Sequence, residues 1–333
     1  MRRRAEPPAD ASAAPAYCGL LAVDKPTGMT SHDVVDRVRR RFRLRAVGHL
    51  GTLDPAASGL LVLALGPATR FAYVWQGGWK TYQGTVRFGL TTSTQDLQGE
   101  VLERSARCPQ EHEIREATHA FVGEITQIPP MVSARRVGGE RLYRIHARGE
   151  TVERAPRPVS VRRWEWSRFE PPDADFELTC SGGTYVRTLA HDLGARLGTG
   201  ATLAALRRLA SEPFSIERTV SLRRLIAEPP ETVWQEAGWT LERALAHLPQ
   251  LALEPAESEQ IGFGRQPEIA AERAATLPVG AGARSVVLAG AAGAVLGLGE
   301  LQITERGTLR VCPHVLLPWA VRDGRVAGEQ RSL

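Results

Sequence analysis

The chain has 333 residues, a length that as a soft prior corresponds to about two domains, and its 43% hydrophobic and 24% charged residues are an ordinary globular mix able to bury a core. No apolar run approaches the roughly 20 residues needed to cross a bilayer, and Met1-Arg2-Arg3-Arg4 is not followed by the apolar segment of a secretory signal, so the expectation is a cytoplasmic protein outside the membrane. Lys and Arg exceed Asp and Glu by 42 − 37 = 5, a mild surplus that permits a nucleic-acid partner without requiring one.

The four cysteines, Cys18, Cys108, Cys180 and Cys312, are far apart and form no C-x-x-C pair, so neither a disulfide framework nor a metal site is expected. Residues 1–17, rich in Ala and Pro, read as a disordered tail. Gly19 to Val23 is a short strand ending in the turn Asp24-Lys25-Pro26-Thr27-Gly28. Thr30 or Ser31 is placed to cap a helix running to about Phe42, with Val34, Val35 and Val38 on its inner face.

Next comes Gly48-His49-Leu50-Gly51-Thr52-Leu53-Asp54-Pro55, ahead of an apolar strand, Leu60 to Leu65. Asp before Pro commonly just starts a turn, and the local pattern alone favours that reading. The same turn can also fix a carboxylate at the mouth of a cleft, where a nucleophile or general base is needed.

Lys80 to Leu90 alternates as a strand, with Tyr82, Val86 and Phe88 on one face. Gly89 to Gly99 reads as a polar loop and Glu111 to Val122 as a helix. Ile128-Pro129-Pro130-Met131 cannot continue a helix. The basic segment from there to Pro158, with Gly138-Gly139 at a turn, reads as a protruding arm. Phe176 to Cys180 is a strand and Ser181-Gly182-Gly183 a tight turn. Thr184 to Leu197 has helical spacing, with Val186, Leu189, Ala190 and Leu193 apolar. Arg187 falls in the first turn of that helix, where the dipole prefers acids, so an arginine there needs another reason. Beyond a boundary near residues 247–250, short apolar runs among many glycines read as a small β-barrel or sandwich.

Arginines cluster at Arg37–Arg45, at Arg135, Arg136, Arg141, Arg144 and Arg148, and at Arg207-Arg208. Any one cluster fits a solvated face. Three of them flanking one candidate site favour a polyanionic partner, since the arginine fork suits phosphate oxygens.

Five stretches, taken together and in order, resemble the TruB-type tRNA pseudouridine synthases. They are Asp24-Lys25-Pro26-Thr27-Gly28-Met29-Thr30-Ser31, the Gly48–Gly59 signature, Lys80-Thr81-Tyr82, Gln127-Ile128-Pro129-Pro130-Met131-Val132-Ser133-Ala134 and Cys180-Ser181-Gly182-Gly183-Thr184-Tyr185-Val186-Arg187. Leu206-Arg207-Arg208-Leu209 matches a further short block, and the likeness is strong over roughly residues 19–215. Two positions depart from the family pattern: Arg136 stands where the arm usually carries a lysine, and Thr202 near where a histidine is often found.

The resemblance implies an α+β fold, a mixed and largely antiparallel sheet flanked by helices, with an arm at about 127–158. It implies a catalytic domain over 18–248, a PUA-like RNA-binding barrel over 249–326 and a tail at 327–333. The implied reaction turns uridine into pseudouridine at position 55, in the T-arm loop of tRNA, with no cofactor and no metal. The implied catalytic residues are Asp54, its ionic partner Arg187, and Tyr82, which stacks on the base and is a candidate acceptor of the C5 proton. His49 is implied in base flipping, Lys25 in the floor of the site and Leu206 in the wall of the uracil pocket. Arg70, Arg136 and Arg207 are implied RNA contacts. The barrel would grip the tRNA near the acceptor stem, and the protein would act as a monomer. The alternative is a non-catalytic tRNA-binding or folding chaperone, which does not need the Asp54–Arg187 pair. A glycosidase-like hydrolase is disfavoured because no second acid accompanies Asp54.

Overall fold

The computed structural model describes residues 15–133, 136–142, 145, 148–275, 277, 285–290 and 293–320. Most of the expected tail at 1–17, and all of that at 327–333, lies outside the described residues.

The first strand, β1 (Gly19–Lys25), is followed by a helix at Ser31–Arg41. The Thr30 hydroxyl accepts from the Asp33 amide at 3.1 Å while the Asp33 carboxylate accepts from the Thr30 amide at 2.8 Å, a reciprocal cap that fixes where the helix begins. Val34, Val35 and Val38 are buried on one face, as their spacing predicts. Chain order then gives β2 (Val47–His49), β3 (Ser58–Leu65) and β4 (Lys80–Phe88). A hairpin of β5 (Leu90–Thr92) and β6 (Val101–Arg104) follows, then a helix at Glu111–Thr118 and β7 (Gly123–Gln127). The arm carries β8 (Arg136–Val137) and β9 (Glu140–Arg141). After it come β10 (Arg157–Glu170), β11 (Asp173–Cys180), a helix at Val186–Arg196 and β12 (Ala201–Ser211).

Three short strands, β13 (Phe214–Ser215), β14 (Val220–Ser221) and β15 (Gly238–Thr240), complete an 11-stranded sheet. Its main path is β14-β1-β3-β12-β4-β11-β10-β7. Only the β1–β14 and β3–β12 pairs are parallel, so the sheet is mixed and largely antiparallel, and with its helices it is an α+β fold.

Within β1 and β3 alternate residues serve different cores. Leu21, Val23, Leu61 and Leu63 join the main core, whereas Leu20, Ala22, Leu60 and Val62 face a second cluster that includes Val287, Val295, Leu298 and Leu317. Those partners belong to a smaller five-stranded sheet of β16 (Gln250–Ala252), β17 (Glu268–Ile269), β18 (Val286–Ala289), β19 (Val295–Ile303) and β20 (Leu309–Leu316), or to the turn just after it. Burial on both faces is why Leu60 to Leu65 is a continuous apolar run rather than an alternating one.

Two expectations need adjustment. The stretch expected to be a polar loop begins with β5, whose β-branched Thr91 and Thr92 suit a strand. The arm is more ordered than a bare loop: Gly138 and Gly139 turn its hairpin with positive φ, and Met131, Leu142 and Ile145 form a small core with Val152 packed on it.

Candidate active site

Asp54 sits in the connection between β2 and β3, and its neighbours are tied down on every side. The Ser31 hydroxyl accepts from the Leu53 amide at 2.8 Å and donates to the Leu53 carbonyl at 2.9 Å. The Gly28 amide donates to the Pro55 carbonyl at 2.8 Å, and the Ala57 amide closes a turn onto the Asp54 carbonyl at 3.0 Å. From below, the buried Arg208 donates to the carbonyls of Leu60, Gly51 and Thr52 at 2.7, 3.1 and 3.4 Å. Gly59 lets the two strands close: its φ is +100°, and a Cβ there would stand 2.3 Å from the Arg208 carbonyl oxygen.

Arg187 reaches the same turn from the helix that opens after Ser181-Gly182-Gly183. Gln127 fixes the start of that helix, donating to the Tyr185 carbonyl at 3.0 Å and accepting from its amide at 2.9 Å. The Arg187 Nε lies 2.8 Å from Asp54 Oδ2 and 3.6 Å from Asp96 Oδ2. Its Nη1 donates to the Thr94 carbonyl at 2.8 Å and its Nη2 to the Val132 carbonyl at 2.9 Å. One buried guanidinium therefore joins the Asp54 turn, the loop after β5 and the root of the arm. The Asp54 side chain is 40% exposed against 4% for Arg187, so the carboxylate opens outward while its partner is interior.

A cavity of about 370 Å³ opens over this pair, lined among others by His49, Asp54, Lys80, Tyr82, Ser133, Arg187, Leu206 and Arg208. Tyr82 on β4 and Leu206 on β12 come from adjacent strands and form one wall. Burial pushes the Tyr82 phenol up to about 12, despite the nearby Arg208 charge. Burial also holds His49 below the ordinary histidine range, with Arg208 adding to the effect, which favours its neutral imidazole. Lys25 is completely buried under the turn and donates to the Met29 and Pro26 carbonyls at 2.7 and 3.0 Å. Lys80 donates to the Gln76 and Gly78 carbonyls at 3.1 and 3.0 Å. Burial lowers both ammonium groups to about 8.

The structure thus brings together Asp54, Arg187, Tyr82, His49 and Leu206, with Lys25 directly beneath. It does not bring Arg70 or Arg207 into the cavity. Arg70 donates to the Leu316 carbonyl at 2.5 Å, tying the catalytic sheet to the smaller one. Arg207 holds both oxygens of Asp24, at 2.7 and 3.1 Å, on the far side of β12. Arg136 lies in the β8 hairpin, and its side chain is outside the described residues. The expected Arg207-Arg208 basic cluster is dissolved by strand geometry, because neighbouring residues on a strand face opposite ways. Arg207 goes to Asp24 and Arg208 goes into the interior.

Arg208, Asp96, Ser31 and Gln127 were not singled out as site residues by sequence reasoning. The Arg-Arg pair on an apolar strand was a signal for Arg208, since one of the two had to point inward. No local signal marked Asp96, and Gln127 was marked only as the start of the arm stretch; both act across long sequence separations. Among the described residues no group of His, Cys, Asp or Glu side chains is arranged to hold a metal ion, and no helix is long and apolar enough to cross a membrane.

Residues 39–186 match the model described as TruB family pseudouridylate synthase (N terminal domain), and residues 187–248 match that of the tRNA pseudouridylate synthase B C-terminal domain. The chain belongs to the TruB family of pseudouridylate synthases. The tRNA pseudouridine synthase B of Syntrophotalea carbinolica is 42% identical over 250 residues, which is 75% of this chain and 81% of the relative. That of Opitutus terrae is 48% identical over 212 residues, covering 63% and 88%. Among solved structures, a chain of the Cbf5-Nop10-Gar1 complex superposes with a TM-score of 0.66 at 26% identity, over 92% of this chain and 87% of that one. This TruB-family member is an enzyme of the pseudouridine synthase class, and its junction between the two matched regions falls at Arg187, so one site draws on both.

Proposed function

We propose that this chain isomerises uridine to pseudouridine in tRNA, acting at position 55 in the T-arm loop, with Asp54 as the reacting carboxylate. The observation that carries the reading is the 2.8 Å pair of Asp54 and Arg187 at the floor of a cavity walled by Tyr82 and Leu206. The reaction breaks the C1′–N1 bond, turns the uracil and forms a C1′–C5 bond. The C5 proton is lost and N1 gains one, so nothing is oxidised or consumed.

The carboxylate sits inside the cavity, so the target base has to leave its stack to meet it, at a cost of a few kcal/mol offset by contacts in the pocket. Tyr82 and Leu206 supply the apolar walls for the extruded ring. Burial raises the Tyr82 phenol and favours its protonated form, so Tyr82 serves this reading as a stacking wall. The neutral His49 imidazole is suited to fill an apolar gap left between bases. The smaller sheet is the surface for the acceptor stem.

Incubation with an unmodified tRNA transcript, followed by position-resolved pseudouridine mapping, tests the reading. Modification confined to position 55 is expected, and modification elsewhere overturns the substrate assignment. Asp54→Asn is expected to abolish turnover while tRNA binding stays within a few fold, and turnover retained in that variant overturns the role of Asp54.

A further inference from the structure

Ser133 is only 7% exposed, yet it lines the cavity that holds Asp54. Its backbone amide is satisfied by the Met131 carbonyl at 3.0 Å. Its hydroxyl is buried and has no hydrogen-bond partner among the described residues. An unpaired buried hydroxyl is costly, and alanine would fill the same place without that cost. Because Ser133 lines the cavity, its unpaired hydroxyl is available to a polar group of whatever enters it.

The position of Ser133 narrows what that partner is. Tyr82 and Leu206 come from β4 and β12, in the middle of the sheet, and form the apolar wall that suits a base. Ser133 comes from the root of the arm, which leaves the sheet after β7 at its far edge. It follows Val132, whose carbonyl takes the Nη2 of the guanidinium that holds Asp54 by its Nε. On the reading above Asp54 works at the ribose end of the base, and Ser133 adjoins the Val132–Arg187–Asp54 chain rather than β4 or β12, so a group on that side of the cavity meets the sugar. The sugar group that pairs best with a hydroxyl, and that separates RNA from DNA, is the 2′-hydroxyl, both donor and acceptor.

We infer that the Ser133 hydroxyl hydrogen-bonds the ribose 2′-hydroxyl of the extruded nucleotide and makes the site selective for ribose over deoxyribose. The inference rests on the uridine-isomerase reading above and assigns it a specificity-determining residue.

A binding cycle tests it. The Asp54→Asn protein, which holds substrate without turning it over, is compared with Asp54→Asn/Ser133→Ala. Each is titrated with tRNA carrying either uridine or 2′-deoxyuridine at the target position. Ser133→Ala is expected to weaken binding of the uridine tRNA about 5–10-fold and to leave the deoxyuridine tRNA unchanged. The deoxy substitution alone should weaken binding to Asp54→Asn by a similar factor. Equal losses on both tRNAs, or no loss on either, overturn the inference, as does an Asp54→Asn protein that binds both sugars alike. If the wild-type protein forms no pseudouridine in the uridine tRNA, the isomerase reading itself falls.

Discussion

Lys25 and Lys80 each place an ammonium among backbone carbonyls, and no carboxylate lies within ion-pair distance of either among the described residues. For Lys80, which lines the cavity, burial lowers the group to about 8 from a starting value of 10.5. Between those values the unfolded chain binds more protons than the folded one, so this group makes stability rise with pH from about 8 to 10.5. Below pH 8 its burial is a standing cost. Urea denaturation of the wild type and of Lys80→Met at pH 7 and at pH 9.5 should show the wild type gaining on the variant at the higher pH. Parallel changes in the two proteins would remove Lys80 as the source. The convergence of the proposed site was legible residue by residue: Asp54, Arg187, Tyr82, His49 and Leu206 share one cavity. What supports them was less so. Ser31 was read as a possible helix cap at the end of a motif stretch, whereas its hydroxyl brackets Leu53 next to Asp54. Arg208 looked like surface charge because arginine usually is.

Among elements, β3 and β12 meet at a point that tolerates no side chain. The parallel register puts Gly59 opposite Arg208, and the close approach there allows Arg208 to turn under the Asp54 connection. Gly59→Ala forces a Cβ to 2.3 Å from a carbonyl oxygen at a φ of +100°, and a loss of about 3 kcal/mol or more is expected. Thermal melting of the purified variant, or its failure to accumulate as soluble protein, checks this; a melting point within a degree or two of wild type contradicts it. Strands and helices were readable where the pattern was strong. The Thr30 cap, the alternation of Lys80 to Phe88 and the apolar face of Val186–Arg196 all stand where expected. The β5–β6 hairpin and the loop that joins its two strands were not readable as part of the site. Asp96 meets Arg187 across 91 residues of sequence, and polar loops give no periodicity to follow.

Across the whole molecule, the two sheets are bound by a common apolar cluster rather than by a linker alone. Leu20, Leu60, Val62 and Phe71 from the larger sheet region pack with Val287, Val295 and Leu298 from the smaller one. Deleting residues 250–333 therefore strips cover from β1 and from β3, the strand that the Asp54 connection leads into. The truncated chain is expected to melt well below the intact protein and to bind a hydrophobic dye; a folded fragment with unchanged melting would show that the catalytic sheet stands alone. The apolar runs in β1 and β3 were visible in sequence, but which layer would cover their second face was not, because a run buried on both sides carries no address for its partner.

A guanidinium is flat and stiff, so its three contacts cannot be tuned one at a time. Arg187 behaves as a rigid tripod under Asp54, with its other feet on Thr94 and Val132. A shift of the arm at Val132 tilts the tripod, and the aim of the carboxylate tilts with it. Whatever repositions the arm root therefore also re-aims the Asp54 carboxylate without touching it.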